Sequence, residues 1–334
     1  MIDLRTDALP QPTEAMWAAM RAHAPGWATF GEDPAVRSLE ERGAALCGQP
    51  AGLLVPTGGM ANLVALLAWT RPGDGLVADR RAHVVRAEHA GYAAVAGLAL
   101  RAIDGERGHP TPAQLAALLG DAPAGRPQPA GLVWLENTHG GCGGTVQGVE
   151  DVRAVCAIAH ERGLPVHVDG ARALNASVAL DVTLAELLAP VDSVMLNLNK
   201  GVGAPMGALL CGDERFIARA RERLARVGGA SVHLSGYWAA AALTALDDAP
   251  ERIARSHALA RALGARLQVA GVETNILLVR TPLSLATLRA RGVGAYPHGP
   301  GQVRLVTHAA ITESDLDVVV AAFTRKTQGC AKRC

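Results

Sequence analysis

The segment Ser193–Leu210, SVMLNLNKGVGAPMGALL, contains a single lysine between two apolar runs. The flanking runs, SVMLNL and MGALL, have the length and composition of buried strands. Small residues follow Lys200 in GVGAP, and they allow a bulky ligand to approach the backbone closely. An ammonium group in apolar surroundings has a lowered pKa, which favours the free amine that forms a Schiff base. The alternative is a loop lysine whose ammonium group reaches solvent.

Short apolar runs alternate with helical patterns on both sides of this segment. Residues 51–70, AGLLVPTGGMANLVALLAWT, predict a strand, a glycine turn and a helix. Residues 35–47 have apolar positions at helical spacing, and Gly48 follows where a C-terminal cap is expected. Such alternation predicts an α/β fold with a mostly parallel sheet covered by helices.

The pattern along the chain changes near residue 250. A helical stretch is followed there by the strand-like runs ETNILLVR and QVRLVTH and by a final helical run. We therefore predict a large domain over residues 1–249, a smaller one over 250–325 and a frayed tail over 326–334. Proline and small residues predict a surface loop at 121–130.

Composition restricts the partners of this chain of 334 residues. The formal net charge is +1, from 32 Lys and Arg against 31 Asp and Glu, so no basic field attracts nucleic acid or an anionic membrane. A small-molecule ligand is the better expectation.

The N-terminus lacks a secretory signal pattern and no apolar run is long enough to span a membrane, so we expect a cytosolic protein. The six cysteines have neither CxxC pairs nor His-rich spacing, which argues against a zinc site and a disulfide framework.

Two strand ends carry polar groups suited to a charged ligand. Thr57, Gly58 and Gly59 precede a helix whose N-terminal amides favour an anion such as phosphate, although a tight turn explains these glycines as well. Asp169 ends the run LPVHVD, where it could pair with a cationic ring nitrogen, and Arg172 could grip a carboxylate. A helix-capping aspartate with a nearby ion pair is the alternative.

A pyridoxal phosphate enzyme needs a Schiff-base lysine, an acidic partner for the ring nitrogen and a loop that binds phosphate. Lys200, Asp169 and the glycine loop at 57–59 together supply this set. The motifs IDLRTDALPQPT, FGEDPAVRSLEERGAAL, ENTHGGCGG, LPVHVDGARALNA, NKGVGAPMGALL and VRLVTHAAITESDLD together resemble the L-threonine aldolases, β-eliminating lyases of fold type I. The resemblance implies a mostly parallel seven-stranded sheet, a smaller C-terminal α+β domain, pyridoxal phosphate as cofactor, and a homodimer or homotetramer with shared active sites.

The resemblance also implies roles for individual residues toward the cofactor. Lys200 matches the lysine that forms the Schiff base, and Asp169 matches the partner of the pyridine nitrogen. His83 matches the histidine that stacks on the cofactor ring, although core packing explains this histidine nearly as well. It is also one of two candidate proton acceptors.

For the substrate, the resemblance points to a further set of side chains. Arg172 and Arg304 match residues that bind the substrate carboxylate, and Thr6 stands where the family usually has serine. His139 matches the histidine near the substrate β-hydroxyl and is the second candidate proton acceptor. Phe30 replaces a tyrosine and so removes a hydroxyl from the neighbourhood of the site.

Several departures from the family pattern concern the phosphate. Gly59 replaces a threonine, Asn199 replaces the serine before the lysine, and His233 is the nearest counterpart of a usual arginine. We therefore expect phosphate binding to rely on the backbone N–H groups of Gly58, Gly59 and Met60.

The reaction that the resemblance implies is retro-aldol cleavage of a β-hydroxy-α-amino acid to glycine and an aldehyde. Racemisation, β-elimination and a biosynthetic aldol addition from glycine are alternatives on the same fold. A non-catalytic ligand-sensing protein is an alternative of another class. A nucleotide-binding fold is disfavoured because the chain has neither GxGxxG nor a Walker-type motif.

Overall fold

The computed structural model describes residues 1–120 and 129–324. Of the predicted surface loop, residues 121–128 lie outside the described residues, and so does the predicted tail at 326–334.

Twelve strands lie in the described part of the chain. They are β1 Ile2–Asp3, β2 Ala51–Val55, β3 Gly75–Asp79, β4 Ala99–Ile103, β5 Ala130–Glu136, β6 Val166–Gly170, β7 Ser193–Asn197, β8 Ala208–Gly212, β9 Ile276–Arg280, β10 Val293–Gly294, β11 Tyr296–Gly299 and β12 Gln302–Val306.

The helices alternate with these strands. They are α1 Glu14–Ala22, α2 Pro34–Leu46, α3 Gly58–Trp69, α4 His83–Arg86, α5 Gly91–Ala94, α6 Pro112–Gly120, α7 Val149–His160, α8 Ala173–Leu180, α9 Leu184–Leu188, α10 Glu214–Arg226, α11 Gly236–Asp247, α12 Ala249–Leu267, α13 Leu285–Ala290 and α14 Glu313–Thr324. Three short 3₁₀ turns span Ala28–Phe30, Gly140–Cys142 and Gly229–Ser231. The predicted helix at 35–47 and the strand–turn–helix unit at 51–70 are both present, and Gly48 has a φ of +65° beyond the end of α2.

Seven strands form the main sheet in the order β2-β8-β7-β6-β5-β3-β4. The pairs from β7 across to β4 are parallel, whereas β8 runs antiparallel to both β7 and β2. The predicted mostly parallel α/β sheet is therefore confirmed. Since β8 is antiparallel to both of its neighbours, β2 points the same way as the parallel strands, and its C-terminal end lies at their carboxyl edge.

Side chains on both faces of the sheet are buried. Along β5, Leu132 and Trp134 belong to one apolar core, whereas Val133 and Leu135 belong to the other. This two-sided burial explains why the central strands appear in the sequence as continuous apolar runs without alternation.

A third apolar core lies in the C-terminal part and includes Leu259, Leu277 and Leu305. There β11, β12 and β9 form an antiparallel sheet. The N-terminus joins this part, because β1 pairs with β10 and Leu4 packs into the same core. We keep the division near residue 250 as a proposal, which this separate core supports.

Candidate active site

The carboxyl edge of the main sheet brings together the ends of several strands. Asp79 ends β3, Glu136 ends β5, Asp169 lies near the end of β6, and Asn197 ends β7. Glu136 and Asp169 are direct partners in the β5–β6 register. All four side chains are buried, so this edge concentrates polar groups that water does not reach freely.

Asp169 is held by two donors. Its Oδ2 accepts a hydrogen bond from the Asn62 side-chain amide at 2.9 Å, and its Oδ1 accepts one from the Ala171 N–H at 3.0 Å. The carboxylate is 1 % exposed, so it is fixed in orientation as well as desolvated.

A hydrogen-bond chain leads from Asp169 to His83. Glu88 Oε1 accepts from the Asn62 amide at 2.7 Å and pairs with His83 Nδ1 at 2.8 Å. The hydrogen bond to Glu88 raises the pKa of His83 above its ordinary value of 6.5, although burial opposes the shift. His83 begins α4, where its backbone N–H donates to Glu136 Oε2 at 2.6 Å. Its side chain is about half exposed, so it can reach a ligand at this edge.

Lys200 lies in the loop between β7 and β8, as the sequence predicts. Burial lowers the pKa of Lys200, and the positive charge of Arg172 lowers it further, against the opposing effects of Asp7, Asp169 and Glu136. The lysine lines a small cavity together with Asp7. A desolvated amine beside several carboxylates is suited to a nucleophilic or proton-transfer role.

The predicted phosphate loop lies at the start of α3. Thr57 caps this helix, because its hydroxyl accepts from the Met60 N–H at 3.2 Å. Among the described residues, the N–H groups of Gly58 and Gly59 have no hydrogen-bond partner. Two of the three predicted amides are therefore free for an anion, whereas that of Met60 is already occupied.

Two residues with expected phosphate roles have other contacts within this chain. The Asn199 N–H donates to Asn197 Oδ1 at 2.9 Å, and it is Asn197 that approaches the loop, since a Cβ added to Gly58 would lie 2.7 Å from its Nδ2. His233 is exposed, and its Nδ1 contacts Trp27 Nε1 at 3.2 Å and the Thr29 hydroxyl at 3.0 Å. Within the described residues, neither Asn199 nor His233 makes a hydrogen bond to residues 57–60.

Arg172 is already engaged by a carboxylate of the chain. Its Nε and Nη2 donate to the two oxygens of Asp7, each at 2.8 Å, and the pair is buried. The third nitrogen, Nη1, makes no hydrogen bond within residues 1–120 and 129–324 and is left for a ligand. A Cβ added to Gly140 would lie 3.4 Å from this Nη1.

Arg304 has an unsatisfied donor. Its guanidinium lies 4.7 Å from the ring centre of Tyr296, and its Nη2 donates to the Arg5 carbonyl at 3.3 Å. Its Nε is buried and has no partner in the part of the chain that the structure describes. Thr6 follows Arg5 on the N-terminal arm, and its hydroxyl accepts from the Ala8 N–H at 3.3 Å.

His139 and Phe30 differ sharply in exposure. His139 is fully buried, with its Nε2 3.4 Å from Asp79 Oδ1 and 4.0 Å from Glu136 Oε2. Burial alone lowers its pKa, but the facing carboxylates raise the pKa of His139 to about 10. Phe30 is 67 % exposed and packs edge-on against Trp27. His139 is linked to His83 through Glu136, whose Oε2 lies 4.0 Å from His139 Nε2 and accepts from the His83 N–H at 2.6 Å.

Sequence reasoning missed four groups that shape the site: the buried Asp7, Asn62 and Glu136, and the partly buried Glu88. Asn62 and Glu88 are polar residues within TGGMAN and RAEHAG, and the only available signal was their position close to a strand end. Their partners come from distant parts of the chain, which local patterns do not reveal.

The fold and this set of residues define an α/β enzyme of the pyridoxal phosphate-dependent lyase class. Residues 3–282 match the sequence profile described as "Beta-eliminating lyase". This stretch covers most of the chain, and the protein therefore belongs to the β-eliminating lyase family.

Relatives of known name cover nearly the whole chain. The low specificity L-threonine aldolase of Escherichia coli K12 is 35 % identical over 96 % of this chain and 98 % of its own length. The probable low-specificity L-threonine aldolase 2 of Arabidopsis thaliana is 32 % identical over 97 % of this chain and 96 % of its own.

Solved structures share the fold. The Leishmania major threonine aldolase superposes with a TM-score of 0.85 at 20 % identity, covering 97 % of this chain and 98 % of that one. A putative L-allo-threonine aldolase from Listeria monocytogenes gives a TM-score of 0.78 at 19 % identity, over 96 % and 95 %. Across the described ranges, no helix is long and apolar enough to cross a membrane.

Proposed function

We propose that this protein cleaves a β-hydroxy-α-amino acid of the L-threonine or L-allo-threonine type to glycine and an aldehyde, with pyridoxal 5′-phosphate as cofactor. The observation that supports this most is the conjunction of a desolvated Lys200, a doubly hydrogen-bonded Asp169 and two unpaired amides at the start of α3. The names of the relatives support the same reaction.

The residues fit this cofactor. The unpaired N–H groups of Gly58 and Gly59, with the helix dipole behind them, suit a phosphate. Asp169 suits a protonated ring nitrogen, and a ring nitrogen of His83 lies within 4.8 Å of an Asp169 oxygen, so both side chains would contact the same cofactor ring. When bound, pyridoxal phosphate supplies an electron sink for the pair left at Cα after the Cα–Cβ bond breaks.

The substrate carboxylate is bound, in this proposal, by the free donors of two arginines. Arg304 Nε is buried without a partner, and Arg172 Nη1 is the one nitrogen of that guanidinium which Asp7 does not hold. Asp7 fixes the plane of the Arg172 guanidinium. Because it binds only two of the three nitrogens, it positions the guanidinium and still leaves one nitrogen for the substrate. Two anchored donors orient the amino acid and so select which bond at Cα breaks.

His83 accepts the proton of the substrate β-hydroxyl, directly or through a water molecule. It is half exposed and is oriented by Glu88, whereas His139 is fully buried. A base must be neutral to accept a proton, so the raised pKa of His83 makes this step depend on pH. Lys200, whose pKa is lowered, can return a proton to Cα.

We further propose a homodimer or homotetramer with shared active sites. An exposed apolar patch of Trp27, Phe30 and Leu234 beside His233 supports an interface. The expectation of a cytosolic protein stays a prediction.

The test is a substrate screen of purified protein. We expect L-threonine, L-allo-threonine and phenylserine each to give an aldehyde and glycine, with one molecule of aldehyde formed for every molecule of glycine. Release of a 2-oxo acid and ammonia would instead establish β-elimination. Conversion of L-threonine into D-allo-threonine without release of aldehyde would establish inversion at Cα. Borohydride reduction followed by peptide mapping should find the cofactor on Lys200, and a label on another residue would contradict the assignment.

A further inference from the structure

A single buried amide, that of Asn275, contacts both sides of the proposed carboxylate site. Asn275 lies directly before β9 and is 1 % exposed. Its Nδ2 donates to Asp7 Oδ2 and to the Thr307 carbonyl, each at 3.0 Å. A carboxylate oxygen and a carbonyl can only accept, so the amide nitrogen must face them, and both of its N–H groups are used. No step of the proposed reaction uses this amide.

Through Asp7, the amide is linked to Arg172. The Oδ2 atom that accepts from Asn275 also accepts from Arg172 Nε at 2.8 Å, and Oδ1 accepts from Arg172 Nη2. The carboxylate is therefore fixed by donors from two directions, the guanidinium on one side and the amide on the other. Without the amide, the carboxylate and the guanidinium could turn together as one unit, and the free Nη1 would turn with them.

Through Thr307, the same amide is linked to the strand that carries Arg304. Thr307 directly follows β12, and its N–H donates to the Asn275 carbonyl at 2.9 Å. Strand β12 pairs with β9, where Arg304 is the register partner of Leu278. The backbone and the side chain of Asn275 therefore both hold the end of the strand on which Arg304 lies.

The two arginines belong to different parts of the fold. Arg172 lies in the loop after β6 of the main sheet, whereas Arg304 lies on β12, whose neighbouring residues belong to the third apolar core. Burial lowers the pKa of Arg304, the positive charge of Arg172 lowers it further, and the negative charge of Asp7 opposes both. The two guanidinium groups are therefore near enough to repel each other, and a fixed contact between the two parts keeps both aimed at one carboxylate.

The amide is also held from its other side. Its Oδ1 accepts from Asn175 Nδ2 at 3.3 Å, and the same Nδ2 contacts His257 Nε2 at 3.1 Å. Asn175 lies in α8, whose N-cap is Arg172. Both polar atoms of the Asn275 side chain thus have partners, which is the rigid support that a precise binding site requires.

We propose that Asn275 is a positioning residue that keeps Arg172 and Arg304 aimed at the same substrate carboxylate. It acts through Asp7 on one arginine and through the end of β12 on the other. The inference rests on the proposed function for the nature of the ligand, an amino acid bound by its carboxylate. An amide that served packing alone would stabilise the chain without affecting one group of the ligand more than another.

The experiment compares two ligands of the cofactor-loaded enzyme that differ at one group. Glycine carries the carboxylate, and glycinamide carries an uncharged amide in its place. Each is titrated into the protein, and the absorbance of the bound cofactor reports its affinity. The amines of the two ligands differ in pKa, but this difference is the same for every variant and cancels when a variant is compared with the wild type.

Asn275→Ala should weaken glycine binding at least fivefold and glycinamide binding less than twofold. Asn275→Ser should give the same pattern, because its single O–H can serve only one of the two acceptors, and it retains a polar group if the alanine variant does not fold. Arg304→Gln is the reference for lost carboxylate recognition and should show this pattern as well. Equal losses for the two ligands, or wild-type glycine affinity in a folded variant of Asn275, would overturn the proposal.

Thr274→Val is the matched control. Thr274 is adjacent to Asn275 and fully buried, and its hydroxyl donates to the Gly144 carbonyl at 2.8 Å. The variant loses a buried hydrogen bond but keeps the amide, so it should melt at a lower temperature and retain the wild-type affinities for both ligands. A selective loss of glycine in Thr274→Val as large as in Asn275→Ala would overturn the proposal, because loosening of the core would then be enough.

The outcome can be separated from that of the proposed function. A wild type that releases no aldehyde from L-threonine, while the variants of Asn275 lose glycine selectively, would contradict the cleavage reaction and support the positioning role. A wild type that releases aldehyde, while Arg304→Gln and the variants of Asn275 lose neither ligand selectively, would support the cleavage reaction and overturn the positioning role.

Discussion

Asp7 and Arg172 form a buried ion pair that joins the N-terminal arm to the loop after β6. Both carboxylate oxygens accept a hydrogen bond at 2.8 Å. Burial raises the pKa of Asp7, but the charge and hydrogen bonds of Arg172 outweigh it and hold the pKa well below its usual range. The resulting stabilisation is present above about pH 3.9, the pKa of an unfolded aspartate, and is lost as the pH falls below that value.

Asp7→Asn should lower the free energy of unfolding by about 3–5 kcal/mol at neutral pH, because it leaves Arg172 buried without a counter-charge. Urea denaturation measures the change. The matched control is Asp247→Asn, which removes the exposed partner of Arg42 and should change stability by about 0–1 kcal/mol. The difference between wild type and Asp7→Asn should shrink as the pH falls below about 3.9. Equal losses in the two variants at neutral pH would contradict the prediction.

Glu88→Gln should shift the acid limb of the kcat/KM profile to lower pH. His83 must be neutral to accept a proton, and Glu88 raises its pKa, so removing the negative charge extends the neutral form to lower pH. The measurement is kcat/KM for L-threonine as a function of pH. Glu161→Gln, an exposed change at the end of α7, should leave the limb in place. An unshifted limb in Glu88→Gln would exclude His83 as the base.

Gly59→Thr should tighten the binding of pyridoxal phosphate. A Cβ at this position meets no atom within 4 Å, so the side chain fits, and its hydroxyl adds a donor near the helix N-terminus. A hydrogen bond to a charged group contributes about 1.5–3 kcal/mol, which corresponds to a gain of about tenfold or more. Titration of the apoprotein with cofactor, followed by absorbance, measures the affinity.

The neighbouring change Gly58→Ala provides the opposite case. Its Cβ would lie 2.7 Å from Asn197 Nδ2, so either the Asn197 side chain or the helix start must shift, and we expect weaker cofactor binding. If both variants bind as the wild type does, the start of α3 is not the phosphate site.

Arg304→Gln should raise KM for the amino acid by about tenfold or more, since a charge-assisted hydrogen bond to the carboxylate is lost. The absorption spectrum of the bound cofactor should not change. Arg280→Gln, an exposed change at the end of the adjacent strand β9, is the control and should keep the wild-type KM. A wild-type KM in Arg304→Gln would show that this arginine does not bind the substrate.

The site residues at the strand ends could be predicted from the sequence. The side chains that contact them could not. Lys200 and Asp169 follow apolar runs, and parallel strands bring such positions to one edge of the sheet. The parallel sheet and the helix start at residue 58 follow from the same local patterns. The spacing of apolar residues reveals strands and helices because the backbone geometry of each element fixes which residues share a face.

The rest depends on contacts between distant segments. Nothing near Asp7 indicates that its carboxylate holds Arg172, 165 residues further along the chain. The burial of His139 likewise depends on Asp79 at the end of another strand and on the loop that contains Gly108. A motif can identify such a residue, but only packing determines whether water or a substrate reaches it.

The pairing of β1 with β10 has a consequence for the order in which the protein matures. The arm that contains Asp7 is held by residues near the other end of the chain: β10, Val306, which donates to the Leu4 carbonyl, and His308, which contacts the Asp3 carbonyl. The ribosome makes these anchors well after Arg172. The arm therefore cannot be anchored until the chain has been made as far as His308, so the buried pair of Asp7 and Arg172 forms only after both of its residues have been synthesised.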